Sequence, residues 1–420
     1  MRLERVELFT KKEFLSFLLF CLFIFTYSLL IDYKNYKQLT RFDSALVNAT
    51  VLKQYSKTKG KKEYQILKLK TDHGSIFYTS ARKKFQEVKG KKLHLEIYPK
   101  ELNFHQYLTS FYAFSKVLFI DKKQTLKQKL NSFIASKHKD ENITKIYQAL
   151  FTASSLSKNL QTTFSTLGVS HLLAISGFHL GVLSALLFFL FRPIYTFFQN
   201  RYFPYTNSKT HLFLLVVSFL FSYLLFLDSP PSLLRSFVML LIGFILYDRG
   251  IKIISMQTLA LTIILILSFA PKLFFALGFW LSVSGVFYIF LFLIHFKHLN
   301  KILQFVLVPF WVYLMMLPLS LSIFGSFSIY HPLSILWTTL FSIFYPLSIV
   351  LHLVGFGDLF DGLLNSFLLL QQNQTTIKLD YLYLVLFVFI SILSIFKKSI
   401  IWLLLSFALL IFIYAIYHVT

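Results

Sequence analysis

Apolar runs of about 20 residues recur along most of this chain, and a helix of that length matches the hydrocarbon core of a bilayer. They constrain the fold more than any other feature. Of the 420 residues, 56% are hydrophobic, only 14% are charged and 51 are Phe. A soluble domain of this size cannot bury so much apolar surface. The sequence therefore predicts a polytopic α-helical membrane protein.

Ten runs are candidate membrane spans. The first follows four basic residues and lacks a small-residue cleavage site, so a retained N-terminal helix within residues 1–31 is preferred to a signal peptide. Pro346 interrupts a later run, for which a re-entrant hairpin is the alternative. The runs cover residues 14–31, 171–191, 211–227, 232–247, 254–270, 273–295, 302–320, 332–356, 381–396 and 400–417.

Positive charge is concentrated in residues 32–150, which hold 25 Lys and Arg against 10 Asp and Glu, a net charge of +15. Alternate loops between the later spans are basic, and the positive-inside rule places those loops and the N-terminus in the cytoplasm. Residues 32–170 then lie outside, away from the field of the cytoplasmic lipids. That placement favours a polyanion over anionic lipid as the partner of the basic segment. The side of the C-terminus stays open.

A small extracytoplasmic β domain is predicted over residues 32–102, because residues 42–98 alternate like four or five short strands separated by turns. An OB-like barrel of this kind binds single strands or sugars on a basic, aromatic face. The alternative is a solvated β domain that only tolerates lysine. The residues proposed to contact phosphates are Lys61, Lys62, Arg82, Lys83, Lys84, Lys91 and Lys92.

Residues 103–169 are predicted to be helical and to lie outside the spans. The aromatic stretch 103–118 predicts an interfacial helix on the outer leaflet. Residues 122–168 predict two or three polar amphipathic helices. They lead directly into a multi-span region over residues 170–420.

The stretch "SHLLAISGFHLGVL", residues 170–183, places His171, Ser176, Gly177 and His179 in an apolar run. Ser176 and His179 share a helix face, so a nucleophile with its base is one interpretation. The other is a Ser-Gly pair that loosens the helix beside a cavity. The absence of an acidic residue nearby in the sequence disfavours the nucleophile. On a straight helix the two histidines lie about 12 Å apart, which makes them a poor metal pair unless the helix breaks at Ser176-Gly177.

Two further stretches are unusual for lipid-facing helices. In "DSPPSLLRSFVML", residues 228–240, Ser232 and Arg235 lie in the first turns of a helix, where an anion is stabilised. The equally weighted alternative is that Arg235 extends outward to the membrane surface or pairs with Asp228. In "LGFWLSVSGVF", residues 277–287, Gly278, Ser282 and Gly285 form a small-residue stripe typical of a close helix–helix contact.

These stretches resemble the ComEC competence family. Residues 171–179 match its pattern H-L-L-A-I-S-G-[LF]-H, residues 231–239 match P-S-x-x-R-[AS]-x-x-M, and residues 278–282 match G-F-x-L-S. Residues 317–336 resemble a later Pro- and Ser-bearing stretch, and order and spacing agree over residues 100–350. The resemblance implies an inner-membrane channel for single-stranded DNA. The residues it implies for channel lining or DNA binding are His171, Ser176, Gly177, His179, Ser232, Arg235, Gly278 and Ser282.

The sequence departs from the family pattern in one respect. Many members end in a metallo-β-lactamase-like nuclease domain, whereas this chain is expected to be a short form with no H-x-H-x-D-H cluster and a single cysteine, Cys21. No catalytic activity, metal or cofactor is therefore expected. The implied partners are a separate DNA receptor, a nuclease and a cytoplasmic motor or single-strand-binding protein, and homo-oligomerisation stays open. The alternatives are a membrane enzyme acting on a lipid-linked or sugar substrate and a structural tether.

Overall fold

The computed structural model describes residues 11–59, 62–83, 85–99, 101–121, 125–202, 205, 208–248, 253–370 and 375–419. The chain divides into two compact units, and each is described by itself. The β unit comprises Phe9–Phe133 and Ile264–Leu277, and the helical unit contains Ile134–Ile263 and Gly278–Thr420.

The β unit begins with helix α1 (Lys11–Leu39), which contains the first predicted span and continues beyond it. Residues 32–39 form this extension, and its aromatic side chains pack on other parts of the β unit. The Tyr36 ring lies 5.5 Å from the ring of Phe104, and its hydroxyl donates to the Leu102 carbonyl at 2.9 Å. The span and the β unit are therefore joined by a continuous helix rather than by a loop.

Four strands follow where the alternating pattern predicts them. Strands β1, β2 and β3 form an antiparallel meander, and β4 pairs with the other edge of β1. Buried and less buried side chains alternate in the central part of each strand, for example at Leu67 and Leu69 of β2 and at Leu93, Leu95 and Ile97 of β4, as the period of two requires. The strands are β1 (Ala45–Lys59), β2 (Lys62–Thr71), β3 (Ile76–Arg82) and β4 (Lys92–Tyr98).

The prediction of one helix over residues 103–118 is wrong for its second half. Only α2 (Phe104–Thr109) is helical, and the chain then forms β5 (Phe111–Tyr112) and β6 (Phe114–Ile120). β5 pairs in parallel with β3, and β6 pairs antiparallel with β4. The six strands form one sheet in the order β5-β3-β2-β1-β4-β6. The Thr79 hydroxyl on β3 lies 2.8 Å from the Ser115 hydroxyl on β6, so the two edges of the sheet approach one another, as in a small barrel. The OB-like identity stays a prediction.

Lys272 joins three parts of the β unit. It lies in the turn Pro271–Phe275, and its Nζ is 2.8 Å from the Asp32 carboxylate on α1 and 3.2 Å from the Ser75 hydroxyl. The ammonium also lies 4.8 Å from the centre of the Tyr107 ring on α2. A single cation thus fixes the turn against α1, the strands and α2. α3 (Leu126–Ala135) runs from this unit to its boundary with the helical unit.

The helical unit opens with α4 and α5, the amphipathic helices predicted from the sequence, and continues with the apolar helices, of which α10 from Ile264 onward and the first residue of α11 belong to the β unit. Together with α3, these two helices account for the predicted segment 122–168 where it is described. The elements are α4 (Glu141–Thr152), α5 (Lys158–Thr166), α6 (Ser170–Leu173), α7 (Gly177–Tyr202), α8 (Ser208–Phe226), α9 (Pro231–Asp248), α10 (Met256–Phe269), α11 (Leu277–His295), α12 (Lys301–Phe324), β7 (Ser326–Phe327), α13 (Ser334–Val354), α14 (Asp361–Leu368), β8 (Thr375–Thr376), α15 (Tyr381–Leu393) and α16 (Lys398–Tyr417).

Among the described residues, seven helices are long and apolar enough to cross a membrane, and α9, α10 and α15 are shorter apolar helices. These ten helices correspond to the ten predicted runs, so the chain is a multi-pass membrane protein. Two details differ from the sequence prediction. The second span begins at Gly177 rather than at His171, and α13 continues through Pro346 as one helix rather than folding as a re-entrant hairpin.

Candidate functional site at the break before α7

The chain breaks between α6 and α7, at the predicted Ser-Gly pair. Ala174 is extended, with φ −76° and ψ 115°, and α7 starts at Gly177. The Ser176 hydroxyl accepts from the Phe178 N–H at 3.3 Å, and the Ser176 N–H donates to His179 Nδ1 at 3.2 Å. This reciprocal arrangement resembles a capping box with His in place of the usual Glu or Gln. Ser176 Oγ also lies 3.2 Å from His179 Nδ1, so the contact caps α7 and at the same time has the geometry of the nucleophile–base alternative.

The cap also fixes the tautomer of His179. Because Nδ1 accepts a hydrogen bond, the neutral ring carries its proton on Nε2. The residue is 1% exposed, and its ring centre lies 4.5 Å from that of Tyr345 and 5.4 Å from that of Phe341, both on α13. Nε2 is buried and has no hydrogen-bond partner among the residues that the structure describes. An unpaired buried donor of this kind costs about 1–3 kcal/mol.

Helix α9 crosses close to this break. The Ser232 hydroxyl donates to the Ile175 carbonyl at 2.7 Å, which satisfies a backbone acceptor that the break exposes. A Cβ placed on Gly177 would lie 2.6 Å from the Ser236 hydroxyl and 3.8 Å from Arg235 Nη2. Only glycine fits here without a shift of one helix. The first two sequence motifs are therefore in direct contact.

Arg235 is buried at this crossing. The residue is 5% exposed, its Nη1 lies 3.0 Å from the Met239 sulfur, and its Nη2 donates to the Ser236 hydroxyl at 3.2 Å. Its Nε has no partner, and the structure records no ion pair between Arg235 and any residue it describes. A buried charge without a counter-charge is strongly destabilising, and here it also opposes the positive end of the α9 dipole. The arrangement favours an anion.

Two other predicted residues of the helical unit, His171 and Ser282, have different surroundings. His171 is exposed, and its Nε2 contacts the Thr338 hydroxyl on α13 at 3.1 Å. Ser282 is half-buried. The close helix–helix contact predicted for the small-residue stripe is wrong, since no described atom lies within 4 Å of a Cβ placed on Gly278 or Gly285.

The basic residues proposed for the β unit differ in their surroundings. Lys83 pairs with Glu63 at 2.7 Å, which raises the pKa of Lys83, and Lys92 pairs with Asp72 at 2.9 Å. Exposed ion pairs of this kind contribute little to stability. Each one nevertheless gives the lysine a carboxylate partner within the protein. Arg82 is exposed and Lys91 is half-buried; Lys62 lies in β2, where only its backbone is described; and Lys61 and Lys84 lie outside the described residues.

A basic and aromatic row on the outer face of the barrel was not found from the sequence. Lys53 on β1 lies directly opposite Lys68 on β2, which lies opposite Tyr78 on β3, and Tyr78 pairs with Tyr112 on β5. The Lys68 ammonium is 5.6 Å from the centre of the Tyr78 ring. Burial and, after it, the neighbouring Lys68 lower the pKa of Lys53. The alternation of residues along each strand predicts that these side chains lie on the outer face. Their alignment in one row follows only from the register in which the strands pair.

Three residues at the crossing were also missed from the sequence. Ser236 lies inside the second motif and directly follows Arg235, and this neighbouring position could have identified it as a site residue. Phe341 and Tyr345 pack on His179, but they gave no signal in a chain with 51 Phe and 23 Tyr. Within the described residues, no group of three or more His, Cys, Asp or Glu side chains could hold a metal ion.

The break before α7 and its crossing with α9 lie within a region that is similar to known proteins. The model of the competence protein family matches residues 151–419. ComE operon protein 3 of Bacillus subtilis (strain 168) is 33% identical to this chain over 171 residues, which are 40% of this chain and 20% of that protein. No solved structure matches the chain significantly. Because the family match spans more than half of the chain, including the break, the crossing and α13, this protein belongs to the competence protein family.

Proposed function

We propose that this protein conducts single-stranded DNA across the cytoplasmic membrane into the cell during natural transformation. One observation carries the proposal: Arg235 Nε on α9 and His179 Nε2 on α7 are buried, unpaired donors on two helices that cross at Gly177. A phosphodiester supplies both the counter-charge and the acceptors that these groups lack. The competence family supports DNA as the source of that phosphodiester.

The surroundings of the crossing suit passage rather than tight retention. Irregular backbone at membrane depth is tolerated where it lines a cavity or is covered by protein, and the chain is irregular at Ala174–Ser176. Conduction requires contacts that are favourable enough for entry and weak enough for release. One guanidinium and one neutral imidazole meet that requirement better than a cluster of cations. In this proposal each phosphate is exchanged for the next as the strand advances.

The β unit captures the strand before it enters. Lys53 and Lys68 repel one another across the barrel surface, and a phosphate between them relieves that repulsion. Tyr78 and Tyr112 continue the same row and offer faces on which bases stack. We place the N-terminus in the cytoplasm and the β unit outside it. A separate receptor, nuclease and cytoplasmic motor or single-strand-binding protein complete the uptake.

Substitution of Arg235 tests the proposal in a naturally competent host that carries no other copy of the gene. Arg235→Ala should reduce DNA entry into the cytoplasm at least tenfold, and Arg235→Lys should reduce it less, because Lys keeps the charge but loses the planar fork. Arg192→Ala is the matched control, since Arg192 is an exposed arginine on α7. The measurements are DNA protected from external nuclease and the amount of protein in the membrane.

Two results would contradict the assignment. Normal DNA entry with Arg235→Ala would show that the guanidinium has no role in transport. Loss of both Arg235 variants from the membrane, with Arg192→Ala retained, would show that Arg235 is needed for folding instead.

A further inference from the structure

A second polar cluster lies in the helical unit, apart from the proposed DNA site. His138, in the loop before α4, places its Nδ1 2.9 and 3.1 Å from the two carboxylate oxygens of Asp361 on α14. Its Nε2 lies 3.0 Å from Nε2 of His352 on α13. The His138 side chain is fully buried, and that of Asp361 is 20% exposed. Two buried imidazoles thus meet one partly buried carboxylate.

The hydrogen bonds determine where the protons lie. The Asp361 carboxylate accepts but cannot donate, so His138 carries a proton on Nδ1. The Ser348 carbonyl also only accepts, and it lies 2.7 Å from His352 Nδ1, so that nitrogen is protonated as well. If both rings were neutral, two lone pairs would face one another across the 3.0 Å between the Nε2 atoms. That arrangement is repulsive and leaves two buried acceptors unpaired.

One additional proton removes the conflict. We infer that the His138–His352 pair is a binding site for a single proton, shared between the two Nε2 atoms and balanced by the Asp361 carboxylate. An N–H···N hydrogen bond fits the 3.0 Å separation. The positive charge of the pair then neutralises the buried carboxylate. A second proton is excluded because two imidazolium ions would face each other at this distance, close to the charge of Lys137.

A bridging metal ion fits the geometry less well. Two histidine nitrogens bound to one tetrahedral metal at 2.0–2.1 Å lie about 3.3 Å apart, and further ligands are needed. Among the described residues, no group of three or more His, Cys, Asp or Glu side chains has a geometry that could hold a metal ion, and in this cluster Asp361 contacts Nδ1 of His138, not the Nε2 atoms that face one another. The Tyr147 ring stacks on His138 at 4.5 Å, and burial, followed by the Asp361 charge, raises the pKa of Tyr147, so the phenol stays neutral. Asp358, in the turn before α14, is exposed.

The packing around His352 fixes its ring in place. A Cβ on Gly357 would lie 3.0 Å from His352 Cδ2, so the turn before α14 lies directly on the imidazole. The Phe151 ring meets it edge-on at 5.0 Å. The shared proton therefore holds the loop before α4, α13 and α14 together. Tyr345, which packs on His179, lies two turns from His352 on the same helix, so loss of the proton acts on a helix that borders the DNA site.

The histidine protonation states of the purified full chain in detergent micelles test the inference. The chain has 12 His residues, and at pH 8 an ordinary histidine, with a pKa of about 6.5, is neutral. Nitrogen-15 spectra of histidine-labelled protein should show one imidazolium at pH 8. The signal should be lost in His138→Gln and in the near-isosteric Asp361→Asn. It should persist in the matched control His418→Gln, which removes an exposed histidine.

A pH series of thermal unfolding of the unsubstituted protein tests the proton count without any variant. The folded pair holds one proton, whereas the two unfolded histidines hold two well below pH 6.5 and none well above it. Stability therefore rises with pH below about 6.5 and falls above it, and Asp361→Asn should flatten this maximum.

Three outcomes would overturn the inference, and none depends on DNA transport. The first is a spectrum at pH 8 with only neutral rings. The second is a stoichiometric metal ion in the purified chain. The third is an unfolding profile that Asp361→Asn leaves unchanged in shape. Failure of the DNA-entry prediction for Arg235 would leave this proton site unaffected.

Discussion

Substitution of Gly177 by Ala tests the close crossing of α7 and α9. The new methyl group would lie 2.6 Å from the Ser236 hydroxyl and 3.2 Å from its Cβ. Gly181→Ala is the matched control. It adds the same methyl group one turn further along α7, where nothing lies within 4 Å. The two variants therefore have the same chemistry and differ only in the space available.

The expected cost follows from the distances. Ordinary contact requires about 3.5 Å or more, so α7 and α9 must separate by roughly 1 Å, or Ser236 must rotate and lose its bonds to Arg235 and to the Ser232 carbonyl. Overpacking of this kind costs about 1–3 kcal/mol. Gly181→Ala should instead stabilise the helix by about 0.5–1 kcal/mol, because Gly is unfavourable in a helix interior. The two variants should differ by roughly 1.5–4 kcal/mol in the free energy of unfolding.

The assay is denaturant unfolding of the purified full chain, combined with DNA entry in the competent host. The double variant Gly177→Ala/Ser236→Ala removes the hydroxyl that the methyl group meets. It should recover part of the loss, with an interaction energy of about 0.5–3 kcal/mol in a double-mutant cycle. DNA entry should fall with Gly177→Ala even where the protein level is kept, since the shift moves Arg235. If Gly177→Ala and Gly181→Ala are equally stable, the close crossing is refuted.

Three further substitutions probe other contacts. Lys272→Met should destabilise the β unit by about 1.5–3 kcal/mol, because it leaves the largely buried Asp32 without its ion pair; an unfolding midpoint equal to that of the parent chain would contradict this. Lys53→Gln should stabilise the fold by about 0.2–1 kcal/mol by removing the like charge opposite Lys68, yet weaken single-stranded DNA binding and its salt dependence; tighter DNA binding would be the contrary result. Ser232→Ala should cost about 1–3 kcal/mol, as it leaves a carbonyl at the break unsatisfied, and unchanged stability would count against the contact.

The candidate site was partly predictable from the sequence. The Ser-Gly pair within an apolar run predicted a break, and the structure has it at Ala174–Ser176. The unusual charge of Arg235 in an apolar helix predicted its importance. The sequence treated His171 and His179 alike, but they differ in surroundings, since one is exposed and the other buried. His179 is buried because it packs on Phe341 and Tyr345 of α13, a contact between helices that the sequence alone does not specify.

The sequence by itself determined the local features of this protein. The length of the apolar runs determined the spans, and the alternation of apolar and polar residues determined β1 to β4. Both properties can be read from consecutive residues. The misassigned stretch 111–120 shows the limit, since its aromatic residues suit a membrane surface and a strand alike, and only pairing with β3 and β4 decides between them.

Tertiary structure alone decided which distant residues meet. Asp361 lies 223 residues from His138 and His352 lies 214 residues from it, so no local period links the members of the proton site. The alignment of Lys53 with Lys68 depends on strand register, and a bulge in β1 next to Lys53 shifts that register. The crossing at Gly177 depends on how two helices pack. Hydrophobic periodicity specifies which face of a helix or strand is buried. Which other element packs on that face depends on the free energy of the complete fold.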